Sequence, residues 1–172
     1  MTTAVFVYGS LMAPEVLRIV INRDELPQSN PAVLPGYARH PIAHRVYPAI
    51  VPNAGHSVDG LLLCDLTPSD LHVLCMFEAP EYELRDVQVQ DSTGTAHNSS
   101  AYVWREEHRC AHWVAPGVVA SLTTVVYRHM LEDQGAWSYA AFREQHLPDY
   151  VEMCQRWAAS IATRAPPCTH LQ

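Results

Sequence analysis

The run Ala4-Val5-Phe6-Val7-Tyr8 is short, apolar and rich in β-branched and aromatic residues, and it stops abruptly at Gly9-Ser10. That pattern predicts a strand over residues 4–8. Pro14 then sits at a suitable first helical position, and Val16, Leu17, Val20 and Ile21 follow with helical spacing. The chain therefore opens as strand, turn, helix. A turn feeding a helix start exposes backbone N–H groups that can hold a carboxylate or phosphate. Gly9 lets another group approach the backbone closely, and Ser10 adds a hydroxyl. A plain structural turn would carry the same residues, so this segment alone does not assign a site. Neither G-x-G-x-x-G nor G-K-[ST] follows the strand, which excludes the dinucleotide-binding and P-loop patterns.

A second segment narrows the chemistry. Thr67-Pro68-Ser69-Asp70 is a helix start, with a hydroxyl cap, a proline at the first position and an acid at the third. The helix it begins runs to Phe77 or Glu78, and Pro80 stops it. On its surface Leu71, Leu74, Cys75 and Glu78 share one face, so a carboxyl extends an apolar stripe. Val73, Met76 and Phe77 make most of the remaining surface apolar, which predicts a largely buried helix. Desolvation and the negative helix end both raise the pKa of an acid so placed. A carboxyl nearer neutrality suits proton transfer. The alternative is that Glu78 leaves the helix into solvent or pairs with Arg85. Glu81 and Glu83, beyond Pro80, are rivals that read as solvated.

The rest of the chain supplies a frame. Residues 28–35 read as loop, 37–51 as one or two short strands broken at Pro41 and Pro48, 53–55 as a turn, and 58–65 as a buried strand. Residues 84–90 and 100–105 flank the turn Asp91-Ser92-Thr93-Gly94 as a hairpin. Residues 118–130 lean towards helix. Residues 136–161 carry a helical pattern through Trp137, Phe142, Tyr150, Met153, Cys154 and Trp157, with a break at Pro148. Tyr37, Tyr47, Tyr102 and Trp104 are expected in the strand core. The tail from Arg164 is expected to fray.

With 172 residues, one compact domain is the default. A net charge of -7 with no basic run argues against nucleic acid as a partner. Cys64, Cys75, Cys110, Cys154 and Cys168 form no C-x-x-C pair, so free thiols in a reducing, cytoplasmic compartment are expected. No apolar run is long enough for a membrane helix, and no secretory leader pattern opens the chain. His108, Cys110 and His112 read as surface residues, because no second cluster with ligand spacing accompanies them. Ser10 lies outside any G-x-S-x-G elbow.

Taken together, several motifs resemble one known family. Tyr8-Gly9-Ser10-Leu11 is similar to the Y-G-[ST]-L signature of the gamma-glutamylcyclotransferase superfamily. The branch is that of the plant avirulence-induced-gene proteins and the gamma-glutamylamine cyclotransferases. Further matches are Tyr47-Pro48-Ala49-Ile50, Val58-Asp59-Gly60-Leu61-Leu62, Phe77-Glu78 with Glu81-Tyr82, and the 137–153 segment with Phe142-Arg143-Glu144 and His146-Leu147. The resemblance covers residues 4–105 and 136–157. It implies an α+β fold, a small mixed β-barrel flanked by helices, with a C-terminal helical extension. It implies one domain over residues 1–163, with 106–135 as an insertion and 164–172 as a tail. It also implies that Glu78 is the catalytic acid/base, and that Tyr8, Gly9, Ser10, Leu11 and Met12, with Tyr82, bind the substrate, the loop holding its α-amino-acid end through N–H groups. The family commonly has Asp where Cys75 stands and Arg where Leu84 stands.

The reaction so implied releases 5-oxoproline from a gamma-glutamyl amide or peptide, a small-molecule substrate, with no metal or organic cofactor and no membrane partner. Two other readings remain open at this level. One is a ligand-binding module that keeps the pocket without turnover. The other is a protein-interaction role centred on 106–135, with Trp113 as an exposed anchor.

Overall fold

A computed structural model describes residues 4–78, 80–105 and 136–162. The expected insertion over 106–135, with His108, Cys110, His112 and Trp113, the helical lean of 118–130, and the expected tail all lie outside the described residues.

Strand β1 spans Val5–Val7, a single 3-10 turn follows at Ser10–Met12, and helix α1 runs over Pro14–Ile21. Strands β2 (Ser29–Pro41) and β3 (Pro48–Leu63) form the longest ladder. Helix α2 covers Pro68–Glu78, and β4 (Tyr82–Asp91) and β5 (Ala96–Trp104) make the expected hairpin. Two helices close the described chain, α3 at Tyr139–Gln145 and α4 at Leu147–Ala162.

The five strands close into a barrel in the order β1-β3-β2-β4-β5. Every pairing is antiparallel except the seam between β1 and β5, where Val5 lies against Ser100 and Phe6 against Ala101 in parallel. The barrel is therefore mixed, as the resemblance implied. Alternation along the strands sorts two cores. Phe6, Leu34, Ile50, Val58, Val89 and Val103 pack with one another in a strand-only cluster. Val5, Val7, Leu63, Tyr82 and Tyr102 face the other way and pack with Val16, Leu74, Phe142 and Cys154 of the helices.

The cap of α2 is as the sequence reads. The Asp70 N–H donates to Thr67 Oγ1 at 3.2 Å, and the Thr67 N–H donates to Asp70 Oδ2 at 2.8 Å. This reciprocal pair satisfies two otherwise unpaired donors. Arg23 reaches the same carboxylate at 2.8 Å and ties α2 to the end of α1.

Four sequence expectations need correction. Residues 28–35 are not loop but the first half of β2. Pro31 and Pro35 are an even number of residues apart, so their missing N–H groups fall on one side of the strand and spare the other. The expected turn at Asn53-Ala54-Gly55 does not reverse the chain. It is an irregularity inside β3, where pairing jumps from Tyr37–Pro52 to Pro35–Ser57, with Gly36 and Gly55 both at positive φ. Helix α2 is not largely buried: only Asp70 and Leu74 are, while Cys75 and Met76 face outward. Finally, the helical break falls at His146, with φ −126°, and Pro148 sits in the first turn of α4, where its missing N–H costs nothing.

The β1–β3 approach is close because Gly60 has no side chain. A Cβ there would lie 2.3 Å from the Val7 carbonyl oxygen and 2.6 Å from the Phe6 ring. The backbone oxygen cannot yield without opening the ladder. Gly60→Ala is expected to lose roughly 1–3 kcal/mol of stability, as overpacked cores do. Urea denaturation checks this, and a midpoint equal to wild type would refute the tight approach.

Candidate active site

A cleft of about 250 Å³ opens where the end of β1 meets α2 and α4. Among the described residues its walls come from five parts of the chain. The 8–11 turn forms one side, and Tyr47 and Pro48 lead into β3. Phe77, Glu78, Glu81 and Tyr82 come from the end of α2 and the start of β4. Tyr102 stands on β5, and Tyr150, Met153 and Trp157 form one stripe of α4.

The turn is held from both sides. The Tyr8 hydroxyl donates to the Tyr102 carbonyl at 2.6 Å, and Arg39 donates to the Tyr8 carbonyl at 2.7 Å. Ser10 Oγ donates to the Tyr150 hydroxyl at 3.1 Å, bridging 140 residues of sequence. Inside the 3-10 turn the Met12 N–H donates to the Gly9 carbonyl and the Ala13 N–H to the Ser10 carbonyl, both at 3.0 Å. The N–H groups of Gly9, Ser10 and Leu11 find no acceptor among the described residues, as expected for the leading amides of such a turn. A side chain on Gly9 would press on Pro48, at 2.9 Å from its Cδ.

Glu78 is partly buried at the C-terminal end of α2 and lines the cleft. Its carboxyl takes part in no hydrogen bond or ion pair among the described residues, and Arg85 pairs with Glu83 instead. Burial pushes Glu78 up to about 8, and the nearby Glu81 charge adds to the rise. In return the Glu78 charge, added to burial, holds the phenols of Tyr8, Tyr82, Tyr102 and Tyr150 above their ordinary value. Tyr47 is raised to about 12, by burial first and Glu81 next.

The sequence candidates do not all meet in the cleft. Tyr8, Gly9, Ser10, Leu11, Glu78 and Tyr82 line it, whereas Met12 packs with the helices and its N–H is committed. The Tyr82 hydroxyl donates to the Pro48 carbonyl at 2.9 Å. Glu81, expected to be solvated, instead lines the cleft and accepts from Arg45 at 3.0 Å and from the Tyr47 hydroxyl at 3.3 Å. Tyr47 belongs to the β2–β3 connection rather than a strand core, and it and Tyr102 both line the cleft. Tyr150, Met153 and Trp157 were legible only as a helical stripe; nothing in their spacing says what that stripe faces. Cys75 and Leu84, the two departures from the family pattern, are exposed and outside the cleft wall. Among the described residues no group of three metal-binding side chains forms, and no helix is long and apolar enough to cross a membrane.

Comparison with known proteins agrees with the fold. A family model described as "Gamma-glutamyl cyclotransferase, AIG2-like" matches residues 5–118. AIG2-like protein D of Arabidopsis thaliana is 33% identical over 160 residues, covering 92% of this chain and 90% of that protein. A solution structure of another Arabidopsis thaliana protein superposes with a TM-score of 0.58 at 25% identity, covering 95% of this chain and 93% of the other. A structure titled gamma-glutamyl cyclotransferase has the same fold, with a TM-score of 0.54 at 14% identity and coverage of 90% and 87%.

The raised Glu78 carboxyl has a consequence for stability. Between the ordinary glutamate value and about 8, the folded protein holds a proton that the unfolded chain has lost. Stability contributed by this group is therefore full below that window and falls as pH rises through it. Glu78→Gln removes the effect. Its melting temperature relative to wild type is expected to rise steadily from about pH 5 to pH 8 and then level off. A difference that does not change with pH would show that the carboxyl titrates normally.

Proposed function

Because the chain belongs to the AIG2-like gamma-glutamyl cyclotransferase family, we propose that it releases 5-oxoproline from a gamma-glutamyl amide or peptide, with Glu78 as general acid and base. One observation carries this reading: a carboxyl raised to about 8 shares a cleft with three backbone amides, and among the described residues neither the carboxyl nor the amides have a hydrogen-bond partner.

The substrate's α-carboxylate is matched by the N–H groups of Gly9, Ser10 and Leu11. Its α-ammonium is matched by Glu78, which pairs with no cation among the described residues. A bound ammonium supplies that missing charge and lowers the Glu78 pKa, so binding itself generates the base. Glu78 takes a proton from the α-ammonium, and the freed amine attacks the side-chain carbonyl. A bond from α-nitrogen to carbonyl carbon forms, the bond to the second nitrogen breaks, and the ring closes. Two protons in all leave the α-nitrogen, and two reach the departing nitrogen, so that 5-oxoproline and an ammonium ion result. Glu78 carries them and ends ionised. Nucleophile and electrophile belong to one molecule, so the cleft has only to hold the folded conformer, an effect worth up to roughly 7–11 kcal/mol in favourable systems.

Mass spectrometry of 5-oxoproline from a panel of gamma-glutamyl donors tests the proposal. Wild type is expected to release it and Glu78→Gln to be slower by at least about 10²-fold. Release by neither protein would leave the cleft as a ligand-binding module, and near-normal release by Glu78→Gln would move the proton transfer elsewhere.

The same proposal sets a pH profile. With an ionised Glu78 and a protonated donor as the productive pair, kcat/KM is expected to climb through about 8 and fall again as the donor's amine deprotonates. A rate already at its plateau at pH 6 would contradict the raised acid.

A further inference from the structure

Five tyrosine rings line the cleft together with Glu78: Tyr8, Tyr47, Tyr82, Tyr102 and Tyr150. Four of their hydroxyl oxygens take part in a hydrogen bond. Tyr8 donates to the Tyr102 carbonyl at 2.6 Å, Tyr82 to the Pro48 carbonyl at 2.9 Å and Tyr47 to Glu81 at 3.3 Å, while Tyr150 accepts from Ser10 at 3.1 Å. Tyr102 differs. Its residue is 4% exposed, its hydroxyl oxygen is fully buried, and among the described residues that oxygen has no hydrogen-bond partner.

Buried hydroxyls almost always find a partner, because desolvating one without compensation costs free energy. Strand β5 cannot release this side chain from the site. Tyr102 is locked opposite Leu84 in the β4–β5 ladder, and its own carbonyl is the acceptor that fixes Tyr8. The ring therefore stays in the cleft wall with a hydroxyl that meets no hydrogen-bond partner among the described residues.

We propose that the Tyr102 hydroxyl is a catalytic hydrogen-bond donor to the reacting side-chain carbonyl oxygen of the gamma-glutamyl substrate. This rests on the cyclotransferase reading. The reacting end of such a substrate has three polar groups. The α-carboxylate matches the turn amides, and the α-ammonium matches Glu78. The carbonyl oxygen, which gains negative charge when the amine attacks, requires a donor, and among the described residues of the wall Tyr102 has the buried hydroxyl that neither donates nor accepts a hydrogen bond, whereas the Tyr150 oxygen is already held by Ser10. Burial, with Glu78 and Cys75 nearby, holds this phenol well above its ordinary value, so it stays protonated and keeps its hydrogen for the oxyanion.

Tyr102→Phe tests the assignment with two readouts. A hydrogen bond formed mainly in the transition state predicts a fall in kcat of roughly 10²-fold with KM changed only a few-fold. The pH profile should keep its limb near 8, since Glu78 is untouched. The melting temperature should match or exceed wild type, because the variant deletes an unsatisfied buried group. Equal kcat in the two proteins would overturn the proposal while leaving the cyclotransferase reading intact. A rise in KM with kcat unchanged would reduce Tyr102 to ground-state binding and overturn it too. A lowered melting temperature would show that the hydroxyl has a structural partner, again overturning it. Absence of 5-oxoproline release by wild type from every donor would defeat the underlying reading, and this assignment with it.

Discussion

Barrel closure rests on a short parallel seam. Only Val5–Ser100 and Phe6–Ala101 register between β1 and β5, helped by the Ser100 N–H donating to the Ala4 carbonyl at 3.1 Å. The parallel sense matters more than the length. It runs the ends of both strands to the same rim, so that the turn leaving β1 emerges beside Tyr102. The Tyr8 hydroxyl then spans the rim to the Tyr102 carbonyl. An antiparallel seam would have sent the amide turn and this part of β5 to opposite ends, and no cleft would form between them. Gly60 permits the companion approach of β3 on the other side of β1.

What the rim gathers is electrostatically one-sided. Among the described residues, Glu78 and Glu81 are the charged ones in the cleft wall. Glu81 is answered by Arg45 and the Tyr47 hydroxyl; Glu78 is answered by nothing among the described residues. Arg39 comes near but spends its donor on the Tyr8 carbonyl and stacks on Trp137, 5.3 Å from the ring centre. The site thus keeps an acid in want of a cation beside amides in want of an anion. Both deficits lie in the wall of one cleft.

How legible was this from sequence? The strand–turn–helix, the Thr67–Asp70 cap, the 91–94 hairpin turn and the isolated acid at 78 were all readable, because each depends on contacts within a few residues. The barrel was not readable from periodicity; it came from the family resemblance. Prolines hid β2, since whether a strand tolerates them depends on which side its partners lie, and that is a tertiary fact. Glu81 was misread for a similar reason. Charge next to Pro80 suggested solvent, whereas Arg45 and Tyr47, more than thirty residues away, draw it into the wall. The α2 helix misled in the opposite direction: its apolar residues run round the helix, yet Cys75 and Met76 remain outside.

The C-terminal helix is the part of the site that local sequence could least supply, and it divides the cleft by character. Tyr150 anchors the α4 stripe to Ser10 in the amide turn, so docking of α4 and positioning of the turn are one event. One and two turns further on, Met153 and Trp157 add only apolar surface, and Trp157 meets Phe77 edge-on with ring centres 5.0 Å apart. Rings and a thioether cannot replace water around a charge. In this wall only the turn amides, the hydroxyls and the carboxyls can therefore face a charged group, while Phe77, Met153 and Trp157 offer surface only to apolar atoms. Docking of α4 on the rim thus sets both the place of the amide turn and the apolar part of the wall.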